Sequence, residues 1–209
     1  MAGYSLFWSG HSSFRLDASK RIYFDPCQLS ANPPGADIIC VTHEHFDHCS
    51  LEDLELITTR DTVILSDNAS SVKMRNIKSA CKEARVLSAG DNIEIGNVKV
   101  SAVSSYNIGK PFHTRESGKL GFIVLVDGIK FYHSGDTDLI PEMESYLCDI
   151  ALLPVGGTYT MTADEAAQAA LIIKPKLAIP MHYDSASDAD RFQSLLKGEV
   201  EVKILRKEC

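Results

Sequence analysis

The sequence has no long apolar run. Its longest stretches, such as 38–41 and 151–155, are far too short to cross a bilayer, which excludes a membrane-spanning helix. Positive charge is not in excess either: 21 Lys and Arg stand against 28 Asp and Glu, for a net charge of −7. An acidic surface repels phosphate backbones and argues against a broad nucleic-acid footprint. Close cysteine pairs are missing too. The six cysteines, Cys27, Cys40, Cys49, Cys81, Cys148 and Cys209, are scattered without a C-x-x-C, so free thiols in a reducing cytoplasm are expected. Residues 1–15 carry no cationic segment ahead of an apolar one, hence no signal peptide is expected. No G-x-S-x-G elbow, P-loop or G-x-G-x-x-G follows a strand, which leaves serine hydrolase, nucleoside triphosphatase and dinucleotide chemistry without support.

What is present is ordinary globular material. The 209 residues are 44% hydrophobic and 23% charged, values that exclude disorder, collagen and coiled coil. The length suits one large domain or two tightly fused halves, and no Pro/Gly/Ser-rich linker divides it. A loose internal echo suggests two β-rich halves, about 1–105 and 106–209, within a single domain. Residues 14–25 read as a hairpin, and 122–133 repeat the design with Asp127-Gly128 as the turn; each is followed by an Asp-Ile strand opening at Asp37 or Asp149.

Elsewhere strands and helices alternate. Ser50 caps a helix over 50–57 with Asp53 three residues on, a helix is expected over 68–78, and Thr162 and Glu165 form a capping box opening a helix to Ile173. Further strands are expected at 63–66, 92–95, 98–103, 177–180 and 200–205, with a helix over 188–196. The fold class is therefore α/β, with helices covering sheet faces.

The strongest chemical signal is His43-Glu-His45-Phe-Asp47-His48, which follows an apolar strand and precedes a capped helix. A strand end aims side chains into a crevice, the usual place for an α/β active site. Three imidazoles and a carboxylate on one loop can face one or two metals. Neutral nitrogen with a hard oxygen suits Zn²⁺ and admits Mn²⁺ or Fe²⁺. Further ligands must come from distant strand ends, and Asp136 in His133-Ser-Gly-Asp136-Thr and His182 in Pro180-Met-His182-Tyr stand at such places. A carboxylate at Asp136 can bridge two metals at the spacing of two-metal hydrolases.

With these motifs in order, the chain resembles the metallo-β-lactamase superfamily. Within it, the chain is similar to small metal-dependent hydrolases related to ascorbate-phosphate lactonase. Gly10-His11-Ser12, Phe24-Asp25-Pro26, Leu153-Pro-Val-Gly-Gly157 and the Asp136 and His182 motifs carry that likeness. The resemblance implies a four-layer αββα sandwich. It also implies a centre, expected to hold two Zn²⁺, in which His43, His45 and bridging Asp136 serve one metal and Asp47, His48 and His182 the other.

One element departs from the pattern. Where the superfamily places a third-motif His after strand 98–103, this chain has Ser104-Ser-Tyr-Asn107, and the nearest His is His113. Either His113 takes that place, Asn107 coordinates through its carbonyl, or the place is empty. His11, Asp25, Asn107 and His133 are further residues expected to orient a ligand or touch substrate.

The expected activity is hydrolysis of a small ester, lactone or phosphoester. Water made acidic between two cations would attack, and Asp47 would orient it. A phosphodiesterase or nuclease-like hydrolase and a non-catalytic metal-binding module are the alternatives. The expected partner is a small-molecule substrate, with no membrane, and a homo-oligomer is compatible with the sequence.

Overall fold

In the computed structural model, which describes residues 3–208, each of two units is built around its own mixed sheet. Residues 3–88 with 206–208 form the first unit and Ala89–Leu205 the second. Cys209 lies outside the described residues.

The first sheet runs in chain order. Strands β1 (Ser5–Gly10), β2 (Ser13–Asp17) and β3 (Arg21–Phe24) form an antiparallel meander. From β3 onward the neighbours β4 (Ile38–Val41), β5 (Val63–Ser66) and β6 (Glu83–Val86) are parallel. Every residue of β4 is buried, as befits a parallel strand covered on both faces. Ile39 and Val41 on one face pack with Tyr23 and Ile64 against Leu54 and Ile57 of helix α1 (Leu51–Ile57), with Met74 and Ile77 beside them. Ser50 opens α1, its Oγ accepting from the Asp53 N–H at 3.2 Å. A hydroxyl cap of this kind is worth about 1 kcal/mol.

The second sheet repeats that plan. Strands β7 (Asn92–Ile95), β8 (Val98–Ser104), β9 (Leu120–Val126) and β10 (Ile129–His133) are antiparallel; β11 (Ile150–Pro154), β12 (Leu177–Met181) and β13 (Glu201–Val202) then continue in parallel from β10. The first unit adds α2 (Asn68–Lys73), and the second adds α3 (Ala163–Ile173) and α4 (Ala186–Leu195). The capping box is formed, with Glu165 N–H donating to Thr162 Oγ1 at 3.3 Å and Thr162 N–H to Glu165 Oε2 at 2.8 Å. Ala163, Ala166, Ala167 and Ala170 let α3 lie close to the core that contains Phe192 of α4 and Ala151, Leu153 and Ala178 of the sheet.

The internal echo is a repeat of hydrogen bonding. Asp37 Oδ2 accepts from Arg21 N–H at 2.8 Å while the Asp37 N–H donates to the Arg21 carbonyl. Asp149 does the same with Lys130, at 2.9 Å through the carboxylate and again through the backbone. In each unit one aspartate thus ties the hairpin to the first parallel strand.

Several expected boundaries need correction. The helix expected over 68–78 ends at Lys73, and a separate 3₁₀ turn follows at Ile77–Ser79. Met74 leaves helical geometry at φ −83°, ψ 16°, which stops the run before Asn76. The helix expected from Asp188 starts at Ala186, because Ser185 Oγ accepts from Ser187 N–H and acts as cap. The strand expected over 200–205 shrinks to Glu201–Val202, which pair with Leu177 and Ala178 of β12 and are followed by one further bond, from the Lys203 N–H to the Ala178 carbonyl at 3.1 Å. Strands β1 and β6 were not expected; both are sheet edges without a clear apolar alternation. Among the described residues no helix is long and apolar enough to cross a membrane.

Candidate metal centre

The His-rich loop leaves the end of β4, and its shape is set by its own backbone. The N–H groups of His48 and Cys49 both donate to the His45 carbonyl, at 3.2 and 2.8 Å, folding the loop into a tight turn. Lys73 Nζ donates to the Glu44 carbonyl at 2.7 Å and pins the outer edge. That contact had no sequence signal, since a lysine on a short helix reads as solvated.

Proton bookkeeping around Asp25 decides which histidine nitrogens can bind a metal. Asp25 is fully buried just after β3. Its Oδ1 accepts from the Thr42 N–H at 2.7 Å; its Oδ2 accepts from the Thr42 hydroxyl and from His48 Nδ1, each at 2.7 Å. The single proton of the Thr42 hydroxyl is thereby used. Its contact with His43 Nδ1 at 3.0 Å must then be one in which the imidazole donates. His43 and His48 therefore both carry a proton at Nδ1, and as neutral imidazoles they present a lone pair at Nε2. A carboxylate fixing the tautomer of ligand histidines is the recurrent supporting arrangement of metal sites. Thr42 escaped the sequence reading, although a hydroxyl directly before the first histidine was the available signal.

The presented atoms are correctly spaced. His43 Nε2 stands 3.1 Å from His45 Nδ1, where two nitrogens on one tetrahedral zinc would be about 3.3 Å apart. Ligand atoms of His11, Asp47 and His48 lie within 4.8 Å of one another. His11 Nε2 meets Asp47 Oδ2 at 3.0 Å. Burial would raise the Asp47 carboxyl, but the hydrogen bond from His11 and the fields of His48 and His11 bring it down to about 2.

In the second unit the matching pair is Asp136 and His182, with Oδ2 to Nε2 at 3.1 Å. Asp136 sits in the turn after β10, where Gly135 N–H donates to His133 Nδ1 at 3.3 Å, so buried His133 shapes the turn that carries the carboxylate. His182 ends β12 beside Gly156. A Cβ at Gly156 would run into the His182 carbonyl oxygen, so only glycine allows this approach. Asn107 is 5% exposed, and its amide donates to the carbonyls of Tyr159 at 2.6 Å and Phe112 at 3.3 Å. Both protons of that amide are then committed to backbone, which fixes the group's orientation. The Asn107 N–H also donates to the His113 carbonyl at 2.7 Å, and the His113 ring is buried beside it.

Backbone strain gathers at these residues. Of the eight described non-glycine residues with positive φ, four are His11 (51°), Asp25 (44°), His113 (53°) and His182 (52°). The left-handed region costs an L-residue about 1 kcal/mol, and such outliers concentrate at functional sites.

Comparison with known proteins agrees with this chemistry. A family model described as the beta-lactamase superfamily domain matches residues 5–182. A UPF0173 metal-dependent hydrolase of Pyrococcus furiosus is 34% identical, with 94% of each chain covered. Among solved structures, one described as a metal-dependent hydrolase from Parabacteroides distasonis is 31% identical and superposes with a TM-score of 0.86 over 100% of both chains. Another, described as a zinc-dependent hydrolase of the metallo-beta-lactamase superfamily from Thermotoga maritima, is 25% identical, with a TM-score of 0.66 over 97% of this chain and 98% of that one. The likeness runs through both sheets and past every strand end that carries a donor, so this chain belongs to the metallo-β-lactamase superfamily, among its metal-dependent hydrolases.

Proposed function

We propose that the chain is a two-metal hydrolase of small esters, lactones or phosphoesters, working in the cytoplasm as one domain made of both units. The metal-holding residues in this proposal are His43, His45, Asp47 and His48 of the first unit and Asp136 and His182 of the second. His113 serves as the further ligand in place of the superfamily's third-motif histidine. The observation that carries the reading is the Asp25–Thr42–His43 and Asp25–His48 arrangement, which leaves Nε2 of both histidines as a lone pair.

The donor set fits divalent zinc: neutral imidazoles with two carboxylates, at nitrogen–nitrogen and nitrogen–oxygen spacings of 3.1 Å. Zinc is also named in the description of the Thermotoga neighbour. When bound, the metals supply Lewis acidity, making water acidic near neutral pH and polarising the bond to be cleaved. Asp47, kept ionised by His11, accepts a hydrogen bond from the hydrolytic water and aligns its lone pair toward the substrate carbon or phosphorus. Asp136 and His182 meet at 3.1 Å, and the close approach of Gly156 to the His182 backbone holds that histidine in place. Asn107 contributes by clasping the backbone of the His113 loop to that of Tyr159. A cytoplasmic setting is supported by Cys27, Cys40, Cys49, Cys81 and Cys148, all free.

The test is a screen of esters, lactones and phosphodiesters on zinc-reconstituted protein, run alongside metal analysis. Chelator-sensitive turnover of any member, together with two metals per chain, supports the proposal. Turnover that survives complete metal removal sinks it, and so does full metal content in a His43→Ala and His182→Ala double variant.

A further inference from the structure

Residues 206–208 return to the first unit and dock on β1. Trp8 and Lys207 form a parallel bridge, the Glu208 N–H donates to the Trp8 carbonyl at 2.7 Å, and Arg15 grips the Glu208 carboxylate through two nitrogens at 3.0 and 3.2 Å. This stitching lays the Lys207 side chain across Gly10. A Cβ there would stand 3.2 Å from both Cε and Nζ of the lysine, and Gly10 has a φ of +110°, so glycine suits the position on both counts. The next residue is His11, whose ring contacts Asp47.

The ammonium donates to Gln28 Oε1 at 2.8 Å and, among the described residues, pairs with no carboxylate. Lys20, Lys99, Lys110 and Lys176 each pair with an aspartate or glutamate instead. An ammonium has three N–H donors. Two of them on exposed Lys207 remain open to solvent, over the glycine that precedes His11 in the chain.

We infer that Lys207 receives an anionic group of the substrate, a carboxylate or phosphate displaced from the scissile bond. The inference rests on the hydrolase reading and narrows its substrate class to anionic esters, lactones or phosphoesters. Docking by main-chain bonds and by Glu208 sets the height of the lysine, and Gln28 sets its direction. The substrate's anion takes the two open donors, and the metal-holding loop meets the ester or phosphoryl group.

The decisive comparison uses two isosteric esters, mono-4-nitrophenyl glutarate and 4-nitrophenyl valerate, which differ by a carboxylate in place of a methyl group. Lys207→Ala should raise KM for the glutarate ester about fivefold, the worth of one exposed charge pair, with kcat within twofold. Valerate kinetics should not change, and Lys207→Arg should restore the glutarate KM. Calorimetric titration of glutarate and of inorganic phosphate into wild type and Lys207→Ala reads the same contact without turnover and separates the two anions. A similar weakening for either anion supports the assignment. Equal changes on both esters, or equal anion affinity in wild type and variant, would overturn it. Absent or chelator-insensitive turnover of all esters in wild type would instead count against the hydrolase reading, and the titrations would still decide the role of Lys207.

Discussion

Replacing Asp25 with Asn changes one buried oxygen to an amide nitrogen and tests the tautomer chain directly. Asparagine tolerates the left-handed backbone at this position, φ 44°, so the main chain need not move. If the amide nitrogen takes the place of Oδ1, it faces the Thr42 N–H, donor against donor at 2.7 Å. If it takes the place of Oδ2, the Thr42 hydroxyl must turn from donor to acceptor and send its proton to His43 Nδ1, and His48 Nδ1 must also accept. Both imidazole protons then move to Nε2 and occupy the lone pairs that the proposed metal centre requires.

The first arrangement costs one unmet buried donor, about 2–3 kcal/mol. In a chain of this size that lowers Tm by about 5–10 °C. The second spares stability but weakens metal binding by about 10–100-fold, the usual effect of removing a carboxylate behind a ligand histidine. Zinc competition against a chromophoric chelator, thermal unfolding of the metal-free protein, and histidine nitrogen shifts by NMR separate these outcomes. A folded Asp25→Asn protein with both wild-type zinc affinity and wild-type Tm would refute the reasoning, as would Nε2–H tautomers for His43 and His48 in metal-free wild type.

Other outcomes follow from single contacts. Gly156→Ala drives a methyl group into the His182 carbonyl, so it should destabilise by about 1–3 kcal/mol and lower metal content, read by unfolding and by elemental analysis. His113→Ala should remove one of two metals during dialysis against a weak chelator while the other persists; unchanged stoichiometry would show that His113 is no ligand. Burial pushes the thiols of Cys49 and Cys148 up to about 12, leaving a thiolate fraction of about 10⁻⁴ at pH 8. Both should therefore resist a disulfide reagent in the native protein and react on unfolding. Thiol titration of denatured, unreduced protein should find all six cysteines free, and a count of two or fewer would refute the reducing-compartment proposal.

The fold was legible where the chain makes its own local arrangements. Ser50 and Thr162 cap the helices they were expected to cap, because each cap acts on a residue three positions on, and the Asp37 and Asp149 strands follow hairpins whose own turns are short. The His43–His48 loop was legible for the same reason. Its donors are contiguous, and the apolar strand before it fixes where they begin. Elements that depend on distant partners were not legible. β6 (Glu83–Val86) is a polar edge strand that, among the described residues, pairs with β5 alone. Lys73 meets Glu44 and Lys207 meets Gly10 only after the chain has folded, and a solvated lysine looks alike in both cases. The Thr42 link between Asp25 and His43 is local at one end and distant at the other. That is why Asp25 could be singled out as an acceptor for a histidine of the loop while its route to His43 through Thr42 could not.

The left-handed backbone of His11, Asp25, His113 and His182 carries a consequence for how such a chain ages once its work is gone. Each of the three histidines would be more comfortable as glycine or asparagine, by about 1 kcal/mol, whereas Asp25 also carries buried hydrogen bonds to Thr42 and His48 that neither would keep intact. A lineage released from metal binding would therefore gain robustness by exchanging the histidines. Glycine at those three places, with the two sheets intact, would mark a descendant that kept the architecture and abandoned the reaction. Under the proposed function, histidine at those places is a cost that a working centre offsets.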